Sequence, residues 1–551
     1  MTRSASARAG PSLPSEIWWL VAQELANRHD FAGLFLCASL SRGLAKLALP
    51  LLYGIQDQSP ASDAHILNIE PAVCLWRSII ISSLGMTLYP YCSWVKTLKL
   101  GNLRSLLDDA DTASVKGNLG LRKMFFDPPL QELEICRGKK RSLDVNGISA
   151  KVLDLVTESI HSAAEAEDRF VGLTMLEVQF MHGGKLATCL SRLARLTTLT
   201  IYDGSVLNGD VARAISENCP AFQEVVCYTC PGDNADTKLA GFILGLAPNT
   251  LKAFTVNSQN DIGPVTLAAF SRHSDSLLCL GLFSLQSAAL NNLEILSPCT
   301  ALSILTVESA AHWTAYSGAN TDEIIAWLQN CGSLKELEFI RFVGASELLA
   351  KVFKTSPMRL EYLRLDLLDI SDDFYPQLAN QTDLRRIRIR YLEEELLDTN
   401  SEERVAQFTA ALTKITQLGQ LHTNELFRLA DIDALTDIRP PLEELNLNGD
   451  FITDDFLPLL ARLSHLKYVN VFGPSWFSVP ALVDFFVRLQ ADPAGQHEGL
   501  QLYVAHQNWE AKFLDSEEIM LATEIDRRFR GKFDVVYRAG PDELHEEDFS
   551  D

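Results

Sequence analysis

Few residues in this sequence stand at spacings that perform chemistry. Cys227-Tyr-Thr-Cys230, with Cys219 upstream, has the CxxC spacing of a zinc or dithiol site. A zinc site needs four ligands, and no second CxxC or HxxxH stands nearby, so no metal is expected. Gly183-Gly184-Lys185-Leu186 resembles the end of a phosphate-cradling loop. It lacks that loop's first Gly and the Ser or Thr after the Lys. Neither a GxSxG elbow nor an HExxH is present, and the 11 His are dispersed. The acidic runs Glu393-Glu394-Glu395 and Asp542 to Asp551 read as solvated faces or ends. The expectation is therefore no catalytic residue, no cofactor and no enzyme. One pattern stands out: Arg386, Arg388 and Arg390 alternate within a single short segment. Guanidinium forks bind carboxylate or phosphate in bidentate fashion, so the stripe suits an anion-binding patch. The plainer reading is a solvated strand face balanced by local acids such as Asp366.

Composition narrows the function classes. With 48 Lys and Arg against 71 Asp and Glu, the net charge is −23. Nucleic acids and anionic membranes both call for clustered positive charge, so neither is an expected partner. The 11 Cys are odd in number and unpaired in spacing, which fits free thiols in a reducing compartment, cytoplasm and/or nucleus. The longest apolar runs, LLCLGLFSL from Leu277 and LALPLLYGI from Leu47, fall short of the roughly 18–20 residues that span a bilayer. At 551 residues the chain exceeds one compact core, which stops growing at roughly 250–300 residues.

The elements that must position these residues come from a repeat. The pattern L-x-x-L-x-L recurs from Leu130, Leu173, Leu196, Phe222, Leu251, Leu277, Leu302, Leu334, Leu360, Leu384, Leu442 and Leu466, with a weaker unit near Leu418. Val95 is a plausible first member, and Gly499 and Lys532 begin the last ones. Starts at 173, 196, 222, 251, 277 and 302 are 23, 26, 29, 26 and 25 residues apart, the leucine-rich-repeat period. Amphipathic stretches of helical period lie between, from Gly209, Thr321 and Thr453, with Thr321 and Thr453 as candidate N-caps. The fold class expected is an α/β leucine-rich-repeat solenoid, a curved parallel sheet with outer helices. Cys219, Cys299 and Cys331 each fall three residues before a strand's first apolar residue, a register that suits small buried side chains.

Residues 13 to 55 break the repeat. Leu13-Pro14-Ser15-Glu16-Ile17 opens a helix with Ile17, Val21 and Leu25 on one face. Asp30 caps a second helix containing Phe31, Leu34, Phe35 and Ala38, and Ser41 a third running to Leu49. Three short helices make a core too small to be comfortable alone, so the module should lean on a partner or neighbour.

These residues resemble the F-box, fungal-type F-box proteins in particular: LPSEI at 13 to 17, Val21, Leu25, Asp30-Phe31, Leu34, Cys37, Leu40-Ser41-Arg42, and LALPLLYGI at 47 to 55. Gly43 and Leu44 follow Arg42 where the family commonly carries an Arg and an aromatic. The resemblance implies a substrate receptor of an SCF-type cullin–RING ubiquitin ligase. Its F-box would bind the Skp-family adaptor, and through it a cullin, while the repeats capture a protein substrate. Adaptor contacts carried over are Leu13, Pro14, Ile17, Val21, Leu25, Leu34, Leu40 and Ser41. The alternative is a leucine-rich scaffold whose N-terminal helices are only a cap. The organisation expected is a leader 1–12, the F-box 13–55, a linker and cap 56–94, repeats 95–540 and an acidic tail 541–551.

For the substrate, the outward strand positions offer Tyr228, Phe283, Arg364, Arg386, Arg388, Arg390, His422, Tyr468, Asn470, Phe472 and Tyr503. A loop with His312, Trp313 and Tyr316 is a second candidate surface.

Overall fold

The computed structural model describes residues 14–59, 69–116, 119–138, 142–164, 172–179, 181–310, 320–356, 358–391, 401–449, 451–506 and 512–537. The leader 1–12, Leu13, the loop residues His312, Trp313 and Tyr316, the run Glu393-Glu394-Glu395 and the tail 541–551 lie outside these. The chain divides into two compact units, Met1–Asp261 and Ile262–Asp551.

The first unit opens with helices α1 (Ser15–Asn27), α2 (Phe31–Leu40) and α3 (Arg42–Gly54). Both expected caps are formed. Asp30 accepts from the Gly33 N–H at 2.8 Å and the Ser41 hydroxyl from the Leu44 N–H at 3.2 Å. Ala22, Ala26, Leu34 and Ala48 make the core, with Leu25, Cys37, Ala38, Leu51, Leu52 and Ile55 packed around it. Three of those four central residues are alanines, so the module buries little apolar surface. It leans on its neighbours: the Tyr53 ring stacks on Tyr91 at 4.7 Å, its hydroxyl donates to Ser78 Oγ at 2.8 Å, and Gln56 Nε2 donates to the Thr97 carbonyl at 2.8 Å. Burial pushes the Tyr53 phenol up to about 12.

Helices α4 (Ile69–Ser83) and α5 (Tyr91–Trp94) follow and bury Val73, Trp76, Ile80 and Trp94. Strand β1 (Thr97–Lys99) then starts a parallel sheet that continues through β2 (Met175–Val178), β3 (Thr198–Asp203), β4 (Glu224–Thr229) and β5 (Ala253–Val256). One expected strand is absent from that sheet. The Leu130 motif forms a 3-10 turn, Leu130–Leu133, and the next residues, Cys136–Arg137, pair antiparallel with Ser142–Leu143. β1 pairs directly with β2, and the helix Val145–Ala164 lies between them in sequence.

The second unit carries β6 (Cys279–Leu285), β7 (Ile304–Ser309), β8 (Glu336–Ile340), β9 (Tyr362–Leu368), β10 (Arg386–Tyr391), β11 (Gln420–Leu426), β12 (Glu444–Asn448), β13 (Tyr468–Trp476), β14 (Gln501–His506) and β15 (Lys532–Tyr537). Each pairs parallel with the next, so every unit is an α/β leucine-rich-repeat stretch. The inward positions stack into ladders. Leu305, Leu337, Leu363, Ile387, Leu421 and Leu445 are register neighbours with at most 1% exposure. Burying each such side chain stabilises by about 1.5–3 kcal/mol, which is why the motif holds its spacing. Side-chain amides finish the strand ends: buried Asn448 Nδ2 donates to the Asn424 carbonyl at 2.9 Å, and half-buried Asn424 Nδ2 to the Tyr391 carbonyl at 2.8 Å.

The three repeat cysteines sit where the register put them. Cys219, Cys299 and Cys331 are buried at the turns into strands, and burial pushes each thiol up to about 12. The Cys331 thiol points at the Cys299 carbonyl at 3.7 Å, linking one turn to the preceding one. The cap expectations fare less well. Thr321 is the first helical residue after Asn320, and Thr453 belongs to a short strand, with its helix opening only at Phe456.

Candidate interaction surfaces

α2 has the sequence FAGLFLCASL, apolar on every side and without a charged residue. A helix of that kind is ordinarily covered all round. Here only Leu34 is fully buried, while Phe35, Leu36 and Leu40 are 65%, 63% and 68% exposed. α1 does the same with Ile17, Leu20 and Val21, exposed by 41%, 60% and 39%. Of the expected contacts, Ile17, Val21 and Leu40 thus face outward, and Pro14 is exposed at the head of α1. Leu34 is corrected to a core residue, Leu25 packs half-buried against that core, and Ser41 uses its hydroxyl as a cap. Leu13 lies outside the described residues. Leu20, Phe35 and Leu36 were not among the contacts expected from the sequence. For Phe35 and Leu36 the signal was the unbroken apolarity of α2, which one helical period could not explain.

The open face of the second unit's sheet carries an ion-pair network on β8 to β10. Arg386 pairs with Glu336 at 2.9 Å, reaching over the Tyr362 ring, whose centre lies 4.4 Å from the guanidinium. Arg364 pairs with Glu338 at 3.0 Å and Asp366 at 2.8 Å, and Arg388 shares Asp366 at 3.1 Å. Register explains the economy: Arg364 lies beside Glu338 on one side and Arg388 on the other, and Asp366 beside Arg390. Two of the three arginines of the stripe, Arg386 and Arg388, are therefore held in an ion-pair network. Arg390 is exposed and forms no ion pair among the described residues. Glu336 and Glu338, which complete the network, were not among the sequence candidates.

Beyond the arginines the charges thin out to Glu444 and the Lys532–Asp534 pair. His422, Asn446, Asn470 and Tyr503 are successive register neighbours. His422 Nε2 lies 3.3 Å from Glu444. Its imidazole pKa is nevertheless lowered, chiefly by burial, with Arg388 and Arg390 pushing the same way against the pull of Glu444. Tyr468 and Tyr503 meet with ring centres 5.4 Å apart. Phe472 is half-buried on the same strand as Tyr468, and Phe283 half-buried on β6. In the first unit, Tyr228 stacks on Tyr202 at 4.3 Å and is 37% exposed.

A buried polar cluster escaped the sequence reading altogether. Glu425 is fully buried and accepts from the Tyr375 hydroxyl at 2.5 Å and the Tyr391 hydroxyl at 2.9 Å. Arg404, on the helix Ser401–Leu412, lies 3.4 Å from the same carboxylate, and its guanidinium 4.7 Å from the Tyr391 ring centre. Burial raises the Glu425 carboxyl above its ordinary range, against the pull of both hydroxyls and Arg404. The alternation Leu421, Thr423, Glu425 placed this glutamate on the inward side, which was the available signal.

Elsewhere the chemistry is sparse. Cys227 and Cys230 are fully buried with thiols pushed up by burial, Cys230 to about 12. Among the described residues no group of three or more His, Cys, Asp or Glu is placed to hold a metal ion, and no helix is long and apolar enough to cross a membrane. A cleft of about 440 Å³ between the helices Val145–Ala164 and Gly183–Leu190 is edged by Lys151 and Lys185.

No protein-family model matches the chain, and a search of curated proteins finds no match. Among solved structures it is similar to the complex of Rad7 and Elc1 in yeast, at 15% identity over 72% of this chain and 97% of that one, TM-score 0.40. It is also similar to TLR13 in complex with ssRNA13, at 12% identity over 70% and 59%, TM-score 0.29. A leucine-rich-repeat protein of Leptospira interrogans matches at 10% identity over 63% and 91%, TM-score 0.27. Likenesses this distant do not say what the chain binds.

Proposed function

We propose that the chain is a substrate receptor of an SCF-type cullin–RING E3 ubiquitin ligase, without catalysis of its own. Its three N-terminal helices bind the Skp-family adaptor, and through it a cullin, and its repeats hold a protein substrate. The observation that carries this is the uncovered apolar face of α1 and α2. Ile17, Leu20, Val21, Phe35, Leu36 and Leu40 are all at least 39% exposed on a module whose own core is small. Exposed apolar side chains gathered on one small module mark a protein-docking surface. A cap that served only the repeats would cover these residues rather than present them. The net charge of −23 and the free cysteines suit a protein partner in the cytoplasm or nucleus.

The second reading is a leucine-rich scaffold without ligase coupling, favoured by the packing of Tyr53 on Tyr91, which ties the module to the following helices. Co-expression with a Skp-family adaptor separates the two. The receptor reading expects co-elution of full-length chain and adaptor on size exclusion, lost on Phe35→Asp. A full-length chain that elutes alone supports the scaffold.

A further inference from the structure

A cavity of about 320 Å³ lies where the helices Val479–Ala491 and Asp515–Phe529 run out, before the turns into β14 and β15. One wall is the loop after the first helix, with Gly495 and His497. The other is the end of the second helix, with Arg527, Arg528 and Arg530.

The first wall lacks a hydrogen-bond donor. His497 is 4% exposed, and its Nδ1 lies 2.9 Å from the Leu466 carbonyl. A carbonyl only accepts, so Nδ1 carries the ring proton, and Nε2 of the neutral ring is an acceptor. That Nε2 is buried without a hydrogen-bond partner among the described residues. Gly495 leaves this edge of the ring uncovered: a Cβ there would lie 3.0 Å from Nε2 and 2.9 Å from Cδ2. Buried polar atoms are nearly always bonded, so Nε2 calls for a donor.

The second wall lacks acceptors. Arg527 donates from one nitrogen to Glu524 at 2.7 Å, and Arg530 from one to Glu498 at 3.1 Å. Arg528 uses two, on Glu524 at 2.8 Å and on the Gln490 amide oxygen. A guanidinium carries more N–H donors than these bonds use. Arginine in a last turn suits the helix dipole, but Arg527, Arg528 and Arg530 around one cavity exceed that need. The acids of the lining compete weakly. Asp492 is turned into its own loop, accepting from Ser464 and from the Ala494 N–H at 3.0 Å. Glu498 and Arg530 are 77% and 84% exposed, so solvent screens their pair and it is worth little.

A ligand that satisfies both walls brings an O–H for Nε2 and anionic oxygens for the guanidiniums. Ionised carboxylate and sulfate only accept, whereas hydrogen phosphate does both. We infer that this cavity is a binding site for inorganic phosphate, with its O–H on His497 Nε2 and its anionic oxygens on Arg527, Arg528 and Arg530. The site goes beyond the ligase reading and stands whether or not the chain binds an adaptor.

Isothermal titration of inorganic phosphate into the full-length chain tests it, at a pH near 8 where imidazole is ordinarily neutral and phosphate keeps one O–H. Saturable binding at one site is expected, with sulfate at least tenfold weaker. Arg527→Gln/Arg530→Gln, two changes at exposed side chains, should weaken phosphate at least tenfold with an unchanged melting temperature. His497→Asn, whose amide can replace Nδ1 on the Leu466 carbonyl, should bring phosphate down to the level of sulfate. Arg488→Gln, outside the lining and paired with Asp484, should stay within twofold. No saturable phosphate binding, sulfate as tight as phosphate (an adventitious ion only), or indifference to the arginines or to His497 would each overturn the assignment.

Discussion

At Arg388 the balance of the arginine stripe turns on one carboxylate. The Asp366 side chain is 6% exposed and takes both Arg388 and Arg364, whereas Arg386 is 42% exposed and pairs with Glu336 at the surface. A charged hydrogen bond at a mostly buried partner is worth about 1.5–3 kcal/mol, and an exposed pair only about 0–1 kcal/mol. Arg388→Gln should therefore cost about 1–2 kcal/mol after allowance for its partial exposure, and Arg386→Gln less than about 1 kcal/mol. Urea melts of the two variants check the order; equal or reversed costs would contradict the network. The cysteines give a second test at this scale. Cys74 is exposed, while Cys219, Cys227, Cys230, Cys299 and Cys331 are buried with raised thiols. Thiolate and access both govern reactivity, so a native-state thiol titration should label Cys74 early and these five only on unfolding. The burial of the repeat cysteines was legible, because their distance from the next strand is fixed by the repeat. The partners of the arginines were not all legible. Asp366 lies on the adjacent strand, but Glu336 sits 50 residues from Arg386 and two strands away, a relation that only register reveals.

At the scale of elements, the Glu425 cluster fastens the helix Ser401–Leu412 to the sheet. Removing one partner of a buried ion pair leaves an uncompensated charge, so Arg404→Met should destabilise by about 3–5 kcal/mol at pH 7. The pH dependence has a definite sign. Glu425 is an acid whose carboxyl is raised in the folded state. It binds its proton more firmly folded than unfolded, so its contribution to stability falls as pH rises from the unfolded carboxyl range to the folded value, and is flat above. Arg404→Met removes a group that lowers the folded value, which widens that window. The variant's deficit should be smaller near pH 4.5 than at pH 7 in paired denaturant melts; equal deficits would contradict the charge account. Strand alternation was readable for nearly every repeat, since Leu at fixed offsets reports a ladder directly. The Leu130 motif misled because a six-residue apolar pattern fits a turn as well as a strand, and Pro128-Pro129 stands just before it. Gly531 shows the opposite case, a residue whose role no spacing disclosed. A Cβ there would collide with the Leu500 carbonyl, so Gly531→Ala should destabilise the β14–β15 pairing and lower the melting temperature.

For the whole molecule, the fold and the proposed role rest on different kinds of information. Repetition made the solenoid legible, because a period kept over hundreds of residues averages out local ambiguity. The N-terminal module had to be read from an ordered set of residues, and the structure adds that α1 and α2 leave their apolar faces uncovered. The choice between core and contact among Ile17, Val21, Leu25 and Leu34 could not be made from spacing. All four are apolar on helices, and only the alanine-centred core separates them. The receptor account depends most directly on adaptor binding by the intact chain. Isothermal titration of full-length protein with a purified Skp-family adaptor tests it, beside the exposed double variant Leu36→Asp/Leu40→Asp and Arg386→Gln as a control. The account predicts saturable binding by the wild type, at least a hundredfold loss in the double variant with an unchanged melting temperature, and no change in the control. No binding by the wild type, or equal binding by the double variant, would contradict it.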